Sequence, residues 1–492
     1  MSTHPEARNP TGAPLKKRAA KGAVWLTIEM IGVQATSFAV FAAMAHFIGP
    51  RDFGLISISF VAIQSLQILV IYNVATVAAR KQRAIELDYT TTFWVTIGLA
   101  ILAFFALLAV SGWAERLFKA PGLAPVLQAM SVIILFMGLA RTHETWLMRH
   151  FHFKSLAIRG LVGAVTGGVV GLTMAVKGFG VIALVGQQVA TSVVSVILLW
   201  AISPWRPSFR FSIPTAVQIF AFLGSVTPNT LVYAVNQNCD TFLVSFFFGP
   251  VSAGVFNIGK RVRLTLQLVI GGPINGVALP TLAEIQDDPE RLRRGVLSSL
   301  MLICVLSSPV FLGVSAVAHE AVSVIFGQKW MDAVPVLKLL SFSGFAMVVL
   351  AYNDNIFILK NRPLWCLYIS LTYTLLAIAA VFFCAEMKID SLALPFVLPY
   401  VIVFPLSAML VSKCLSISPR EWIGAMLPGV GSATAMFIVV LLAGRNISGF
   451  GDLARLGILC SIGAAFYLVV IWSIWRDGTK MVIDMLRHMI HK

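Results

Sequence analysis

Charged residues are scarce in this chain. Only 12% of its 492 residues are Asp, Glu, Lys or Arg, whereas 58% are hydrophobic, and soluble domains carry roughly 25% charged residues. Runs of eighteen or more mostly apolar residues recur from one end of the sequence to the other, each long enough to cross a lipid bilayer. The composition therefore excludes a soluble domain and predicts an all-α polytopic membrane protein.

Acidic residues and paired cysteines are also few. The chain has 21 Asp and Glu against 37 Lys and Arg, for a formal net charge of +16, but the cations lie in short runs between apolar segments. This placement is typical of cytoplasmic loops rather than of a nucleic-acid-binding surface, so no nucleic-acid partner is expected. The six cysteines lie singly, without a CxxC or other metal-ligand spacing, and are interpreted as small apolar residues.

Motifs for catalysis are missing as well. The sequence has no P-loop and no long loop with paired carboxylates. An ATPase is therefore not expected, and a membrane glycosyltransferase or polymerase is disfavoured. We expect no cofactor and no metal. Coupling to a proton or sodium gradient, to the membrane potential or to consumption of a product outside stays open.

The apolar runs divide into about fourteen predicted membrane-spanning helices. Basic runs such as "RKQR" (80–83), "RHFHFK" (149–154) and "PERLRR" (289–294) fall on one side of the predicted membrane. The positive-inside rule then predicts that both termini are cytoplasmic. A polar leader runs into a first span too long for a cleavable signal, so no signal peptide is expected.

An internal repeat organises the chain. "FIGPRDFGLISIS" (47–59) and "FFGPVSAGVFNIG" (247–259) share F-x-G-P-x-x-x-G, and "APVLQAMS" (124–131) matches "VPVLKLLS" (334–341) further on. Each repeat would contain about six helices. Because six is even, the two copies share one orientation and are related by an axis along the membrane normal.

The repeat predicts five segments. They are a cytoplasmic leader (1–21), an N-lobe of six helices (22–203), a C-lobe of six helices (204–413), two further helices (414–475) and a cytoplasmic amphipathic tail (476–492).

These features resemble the multidrug/oligosaccharidyl-lipid/polysaccharide exporter superfamily. The repeated G-P-x-x-x-G motif, "ALPTLAEIQDDPERLRRG" (278–295) and "VIFGQKWMDAVPVLKLLS" (324–341) are similar to its polysaccharide branch. The resemblance implies a Wzx-type flippase that moves undecaprenyl-pyrophosphate-linked oligosaccharides across the inner membrane by alternating access. It also implies contact with membrane lipids, a polysaccharide polymerase and chain-length proteins. A multidrug-type, ion-coupled exporter of the same superfamily is the alternative.

Three cations lie at membrane depth in "FNIGKRVRLTLQLV" (256–269): Lys260, Arg261 and Arg263. One charge at the bilayer centre costs about 2.5–3.5 kcal/mol on insertion scales, so three require a reason. With a helical period, Lys260 and Arg263 lie on one polar face with Asn257 and Gln267. This face predicts a site for an anionic substrate, either a pyrophosphate or an acidic sugar.

The preceding helix offers companions. Tyr233, Asn236 and Asp240 recur at helical spacing. Asp240 should lie level with Lys260, at a height where the two could pair. Gln67 is the repeat counterpart of Gln267 and completes the predicted substrate-binding set. Two other interpretations stay open: a purely structural ion pair at Asp240, or a proton or ion relay through it.

Other embedded charges suggest coupling or gating. Glu29 is interpreted either as a proton-binding site or as half of an ion pair with a cation such as Arg80. Arg141 and Glu144 lie at the inner end of the fourth predicted helix, and Asp354 at that of the tenth. They are interpreted as a cytoplasmic gate or, alternatively, as ordinary interface charges.

Overall fold

Helices make up all the regular secondary structure of the residues that the computed structural model describes, which are 13–74, 76, 85–385, 392–447 and 449–474. The first helices are α1 (Ala13–Ala45), α2 (Pro50–Leu66) with a π-helical continuation (Gln67–Tyr72), α3 (Glu86–Leu117), α4 (Leu123–Arg149), α5 (Phe153–Val176) and α6 (Val181–Ile202). The later ones are α7 (Ile213–Glu284), α8 (Pro289–Ala316), α9 (Ala318–Phe326), α10 (Ala333–Leu359), α11 (Pro363–Cys384), α12 (Leu394–Val397), α13 (Pro399–Leu415), α14 (Pro419–Asn446) and α15 (Asp452–Ile474), with a 3-10 turn (Gln328–Trp330) after α9. The all-α prediction is confirmed.

Twelve helices among the described residues are long and apolar enough to cross a membrane, which confirms a multi-pass membrane protein. The predicted count of fourteen is not confirmed. One of the twelve, Thr230–Gly272, covers parts of both halves of α7, and α2 is not among them. Helix α1 already begins at Ala13, within the predicted leader, in a stretch of strong helix formers, alanine and lysine.

Two compact units emerge from the contacts. One is built from residues of Met1–Ile48 and Ile58–Asn238, the other from residues of Gly49–Ser57 and Cys239–Lys492. The lobe boundaries at 203 and 413 stay predictions, and the predicted tail (476–492) lies outside the described residues.

Small residues let helices of the first unit approach closely. Along α5, Gly163, Gly167 and Gly171 face α6, and a Cβ added at Gly167 would lie 2.7 Å from the carbonyl oxygen of Gln187. Close backbone approach of this kind replaces the hydrophobic driving force that is missing between helices in lipid.

The second unit has a conventional apolar core between α8, α10, α13 and α14. Phe311, Tyr352 and Phe357 are fully buried in it. A Cβ added at Gly429 would lie 2.5 Å from the backbone of Cys304, so α8 and α14 also touch through their backbones.

Helix α7 is two helical arms, 213–248 and 250–284, joined at Gly249. Its φ of 80° lies in the region that only glycine adopts without strain. Pro250 follows at the first position of the second arm, where a missing N–H has no consequence. This turn places the residues before and after it side by side.

The two copies of the repeat motif meet within the second unit. A Cβ added at Gly54 would lie 1.7 Å from the Pro250 carbonyl oxygen, and one at Gly254 would lie 1.9 Å from that of Pro50. A further equivalent pair is joined because Asn257 Nδ2 donates to Ser57 Oγ. Equivalent residues contact each other reciprocally, as a two-fold axis requires, and this confirms the repeat at these positions.

Gly254→Ala should destabilise the protein by at least about 1–3 kcal/mol, because the added Cβ would overlap the Pro50 carbonyl and force two helix starts apart. Gly424→Ala is the control, since nothing lies within 4 Å of a Cβ there. Thermal unfolding of both variants in detergent measures the difference. Equal stability of the two would show that the reciprocal contact does not hold these helix ends.

Candidate functional site

The three predicted cations lie on the second arm of α7, and two of them, Lys260 and Arg263, lie against Asp240 near the end of the first arm. Lys260 Nζ is 2.5 Å from Asp240 Oδ1, and Arg263 Nη2 is 3.7 Å from Asp240 Oδ2. The predicted pairing of Lys260 with Asp240 is therefore confirmed. The turn at Gly249 makes it possible, because within the second unit it brings 239–248 alongside the start of the second arm.

Asp240 is the centre of this basic cluster, which we define as Lys260, Arg261, Arg263 and Asp240. Its side chain is 11% exposed and also accepts a hydrogen bond of 2.6 Å from the backbone N–H of Thr241. Lys260 Nζ donates a second bond, of 2.9 Å, to Thr241 Oγ1. One negative charge is thus shared by two cations, and Arg261, half-buried on the next helical position, adds a third positive charge.

Two tyrosines and a methionine extend the cluster. Tyr373 of α11 and Tyr400 of α13 pack with ring centroids 4.9 Å apart, and the Tyr373 hydroxyl donates to the Phe396 carbonyl at 3.2 Å. The Tyr400 hydroxyl interacts with Arg263 and with Tyr373. Arg263 Nη1 also donates to Met347 Sδ on α10.

Sequence reasoning missed these three residues. A single tyrosine or methionine inside an apolar run looks like ordinary helix packing, and only helix packing shows which one faces Arg263. The one available signal was a hydroxyl group in each of two apolar spans.

The predicted polar face of α7 is only partly available to a ligand. Asn257 bonds to Ser57 as described above, so it joins the repeats. Gln267 is half-buried, and its Oε1 has no hydrogen-bond partner among the described residues. The substrate-binding roles of both residues stay predictions.

The remaining predicted substrate-binding residues belong to the first unit. Gln67 begins the π-helical turn and is half-buried, as is Asn236 on the first arm of α7. Tyr233 is 54% exposed, and its hydroxyl accepts a hydrogen bond of 2.7 Å from Gln237 Nε2. Their roles also stay predictions.

The first unit contains a separate buried ion network of Glu29, Arg141, Glu144 and Arg159. Arg159 Nη2 lies 3.5 Å from Glu29 Oε1, and Arg141 Nη1 lies 3.1 Å from Glu144 Oε2. Arg159 Nη1 bonds to Glu144 Oε1 as well. Glu29 therefore pairs with Arg159, a residue that sequence reasoning missed, while its proposed partner Arg80 lies outside the described residues. Two cations face two carboxylates, so this network is formally neutral.

Asp354 lies half-buried on α10, and the thiol of Cys366 donates a weak hydrogen bond of 3.8 Å to its backbone carbonyl oxygen. The neighbouring Asn353 donates to Ser407 Oγ at 2.9 Å. A cytoplasmic gate formed by Arg141, Glu144 and Asp354 stays a prediction.

Comparison with known sequences identifies the family. The family described as "Polysaccharide biosynthesis protein" matches residues 43–335, more than half of the chain. The chain belongs to this family.

Two relatives are similar to this polysaccharide biosynthesis protein over longer stretches of sequence. The lipopolysaccharide biosynthesis protein WzxC of Escherichia coli is 23% identical over 67% of this chain and 68% of the relative. The teichuronic acid biosynthesis protein TuaB of Bacillus subtilis is 22% identical over 93% of this chain and 96% of its own.

The fold also has a solved counterpart. The structure titled "Lipid II flippase MurJ, inward closed conformation" superposes with a TM-score of 0.73 over 94% of this chain and 100% of that one, at 14% identity. At this identity the likeness concerns the fold alone. The fold expected from the superfamily resemblance is confirmed.

Asp240→Ala should lower the free energy of unfolding by about 3–5 kcal/mol, because it leaves two buried cations without their shared carboxylate. Glu290→Ala is the matched control. Its pair with Arg293 is 3.4 Å apart but its side chain is 63% exposed, and exposed pairs contribute about 0–1 kcal/mol.

Denaturant unfolding of the purified variants measures both effects. If Asp240→Ala lowered the free energy of unfolding no more than Glu290→Ala does, the stability of the basic cluster would not depend on its carboxylate.

Proposed function

We propose that this protein flips lipid-linked oligosaccharides across the bacterial inner membrane, with both termini in the cytoplasm, for the synthesis of a surface or exopolysaccharide. The observation that supports this proposal most is the concentration of cations in the basic cluster, where Lys260 and Arg263 lie against Asp240 and Arg261 follows Lys260 on the same helical arm. The proposed ligand of this cluster is the pyrophosphate, or an acidic sugar, of an undecaprenyl-pyrophosphate-linked repeat unit.

The chemistry of the cluster favours such an anion. Guanidinium groups bind phosphate and carboxylate oxygens through paired, charge-assisted hydrogen bonds. A phosphate could meet several of these cations at once, and charged residues inside membrane segments commonly mark a substrate pathway.

The first unit provides an internal comparison. Its ion network is equally embedded but matches two cations with two carboxylates. Membrane segments can therefore hold buried arginines in a neutral, self-sufficient arrangement. The basic cluster departs from this arrangement, which supports a role in binding rather than in packing.

The names of the relatives support the substrate class. WzxC is called a lipopolysaccharide biosynthesis protein and TuaB a teichuronic acid biosynthesis protein. The solved counterpart is called a lipid II flippase. A lipid-linked sugar is the substrate that we carry over to this chain.

Polar residues near the membrane centre would then contact the sugar. We assign this role to Gln267, whose amide oxygen is buried without a protein partner among the described residues, and to Asn257, Gln67, Asn236 and Tyr233.

Transport would follow alternating access, driven by a proton or sodium gradient. Asp240 and Glu29 are the proposed coupling carboxylates, because each lies against cations whose hold on it would weaken when it takes up a proton. Arg141, Glu144 and Asp354 are the proposed cytoplasmic gate. The proposed protein partners are a polysaccharide polymerase and chain-length proteins.

The alternative, a multidrug-type exporter, is less compatible with the cluster. Cationic drugs would meet Lys260, Arg261 and Arg263 with only Asp240 to attract them. Like charges in a low-dielectric site repel strongly.

Arg261→Ala should reduce polymer export at least about tenfold, equivalent to roughly 1.4 kcal/mol of lost binding. Arg261 is chosen because Lys260 and Arg263 also support Asp240, so their removal would alter packing. The measurement is polysaccharide production in a flippase-deficient strain at matched protein levels, where wild type should restore the polymer.

Two controls complete the comparison. Arg261→Lys keeps the charge but loses the guanidinium fork, so its activity should lie between wild type and Arg261→Ala. Arg293→Ala removes a cation from a more exposed pair with Glu421 and should behave as wild type. Normal export by Arg261→Ala, Lys260→Ala and Arg263→Ala together would contradict anion binding by the cluster.

A further inference from the structure

An apolar groove lies between α10 and α13 in the second unit. It encloses about 320 Å³ and is lined mainly by side chains such as Phe342, Ala346, Val401 and Phe404. Its polar lining is minimal, so the groove offers almost no hydrogen-bonding groups to a sugar. Sugars bind through such groups, and the groove therefore excludes the oligosaccharide itself.

The groove has an exposed mouth and a buried floor. Val401 is 70% and Phe342 is 46% exposed at the mouth, whereas Tyr400 is 8% exposed at the floor. Ala346 contributes only a methyl group on the α10 side, which leaves the space between the larger aromatic side chains open.

Tyr400 connects the groove to the basic cluster. Its ring lines the groove, while its hydroxyl interacts with Arg263, which is paired with Asp240. On the α10 side, Arg263 Nη1 donates to Met347 Sδ, next to the lining residue Ala346. The apolar groove and Arg263 are therefore neighbours on both of the helices that form the groove. Tyrosine suits this junction because its ring is apolar and its tip is polar.

We infer that the groove binds the first isoprene units of a prenyl chain whose pyrophosphate is held by the basic cluster. This inference rests on the proposed function and adds where the lipid part of the substrate lies. An amphiphile with an anionic end and an apolar chain matches both the cations and the groove. A neutral apolar compound offers no acceptor to the cations, and a free phosphate would leave the groove empty.

The test measures binding to the purified full-length protein in nanodiscs. The probes are inorganic pyrophosphate, dimethylallyl pyrophosphate and geranyl pyrophosphate. In wild type the affinity should rise at least about tenfold from the five-carbon to the ten-carbon probe, since each buried methylene is worth about fourfold. The affinity for inorganic pyrophosphate reports the cluster alone.

Two variants fill the groove. Ala346→Phe occupies its centre, and Val401→Trp covers its mouth at a position exposed enough to need no repacking. Both variants should lose the rise in affinity from the five-carbon to the ten-carbon probe and keep the wild-type affinity for inorganic pyrophosphate. Ile402→Trp is the control, because Ile402 is 54% exposed on the same helix but does not line the groove.

The outcomes separate the inference from the proposed function. Failure of wild type to bind any of the pyrophosphates would overturn the proposed function, and the inference with it. The inference about the groove alone would be overturned if wild type showed no rise in affinity with the chain length of the probe. It would also be overturned if both groove-filling variants kept that rise. Displacement of geranyl pyrophosphate by equimolar dioleoyl phosphatidic acid would likewise overturn it, since an ordinary phospholipid would then be the occupant.

Discussion

The reciprocal contact between Gly54 and the Pro250 carbonyl, and between Gly254 and the Pro50 carbonyl, is the constraint on which the second unit depends. It sets the start of α2 against the start of the second α7 arm at backbone distance. Lys260 and Arg263 follow about two turns later on the same arm. The contact at these two glycines, where no side chain larger than hydrogen fits, therefore sets the direction of that arm. The direction of the arm in turn sets the position of the cations.

A contrast between two buried ion groups then separates structure from function. The Glu29–Arg159–Glu144–Arg141 network balances its charges and joins three helices of the first unit. In the basic cluster Lys260 and Arg263 share the carboxylate of Asp240. Several cations close together in a membrane segment are typical of a binding site for an anion, which is the role that we propose for this cluster.

The tyrosine pair gives this site a second property. Tyr400 contacts Arg263 through its hydroxyl and borders the apolar groove with its ring. Cations and apolar surface thus meet at one residue. A lipid-linked sugar combines the same two properties, so one site would recognise the parts of the substrate that every repeat unit shares, whatever its sugars are.

The sequence by itself determined the helical class, the repeat, the pairing of Lys260 with Asp240 and the excess of positive charge. These follow from apolar run length and from spacing along a helix, which are local properties. Only the tertiary structure decided that the Asn257 side chain donates a hydrogen bond to Ser57, and that Arg159 rather than a loop cation pairs with Glu29. The interaction of Tyr400 with Arg263 was likewise decided by the tertiary structure. Those partners come from helices far apart in the chain, and their meeting depends on helix crossings that the periodicity of one segment does not encode.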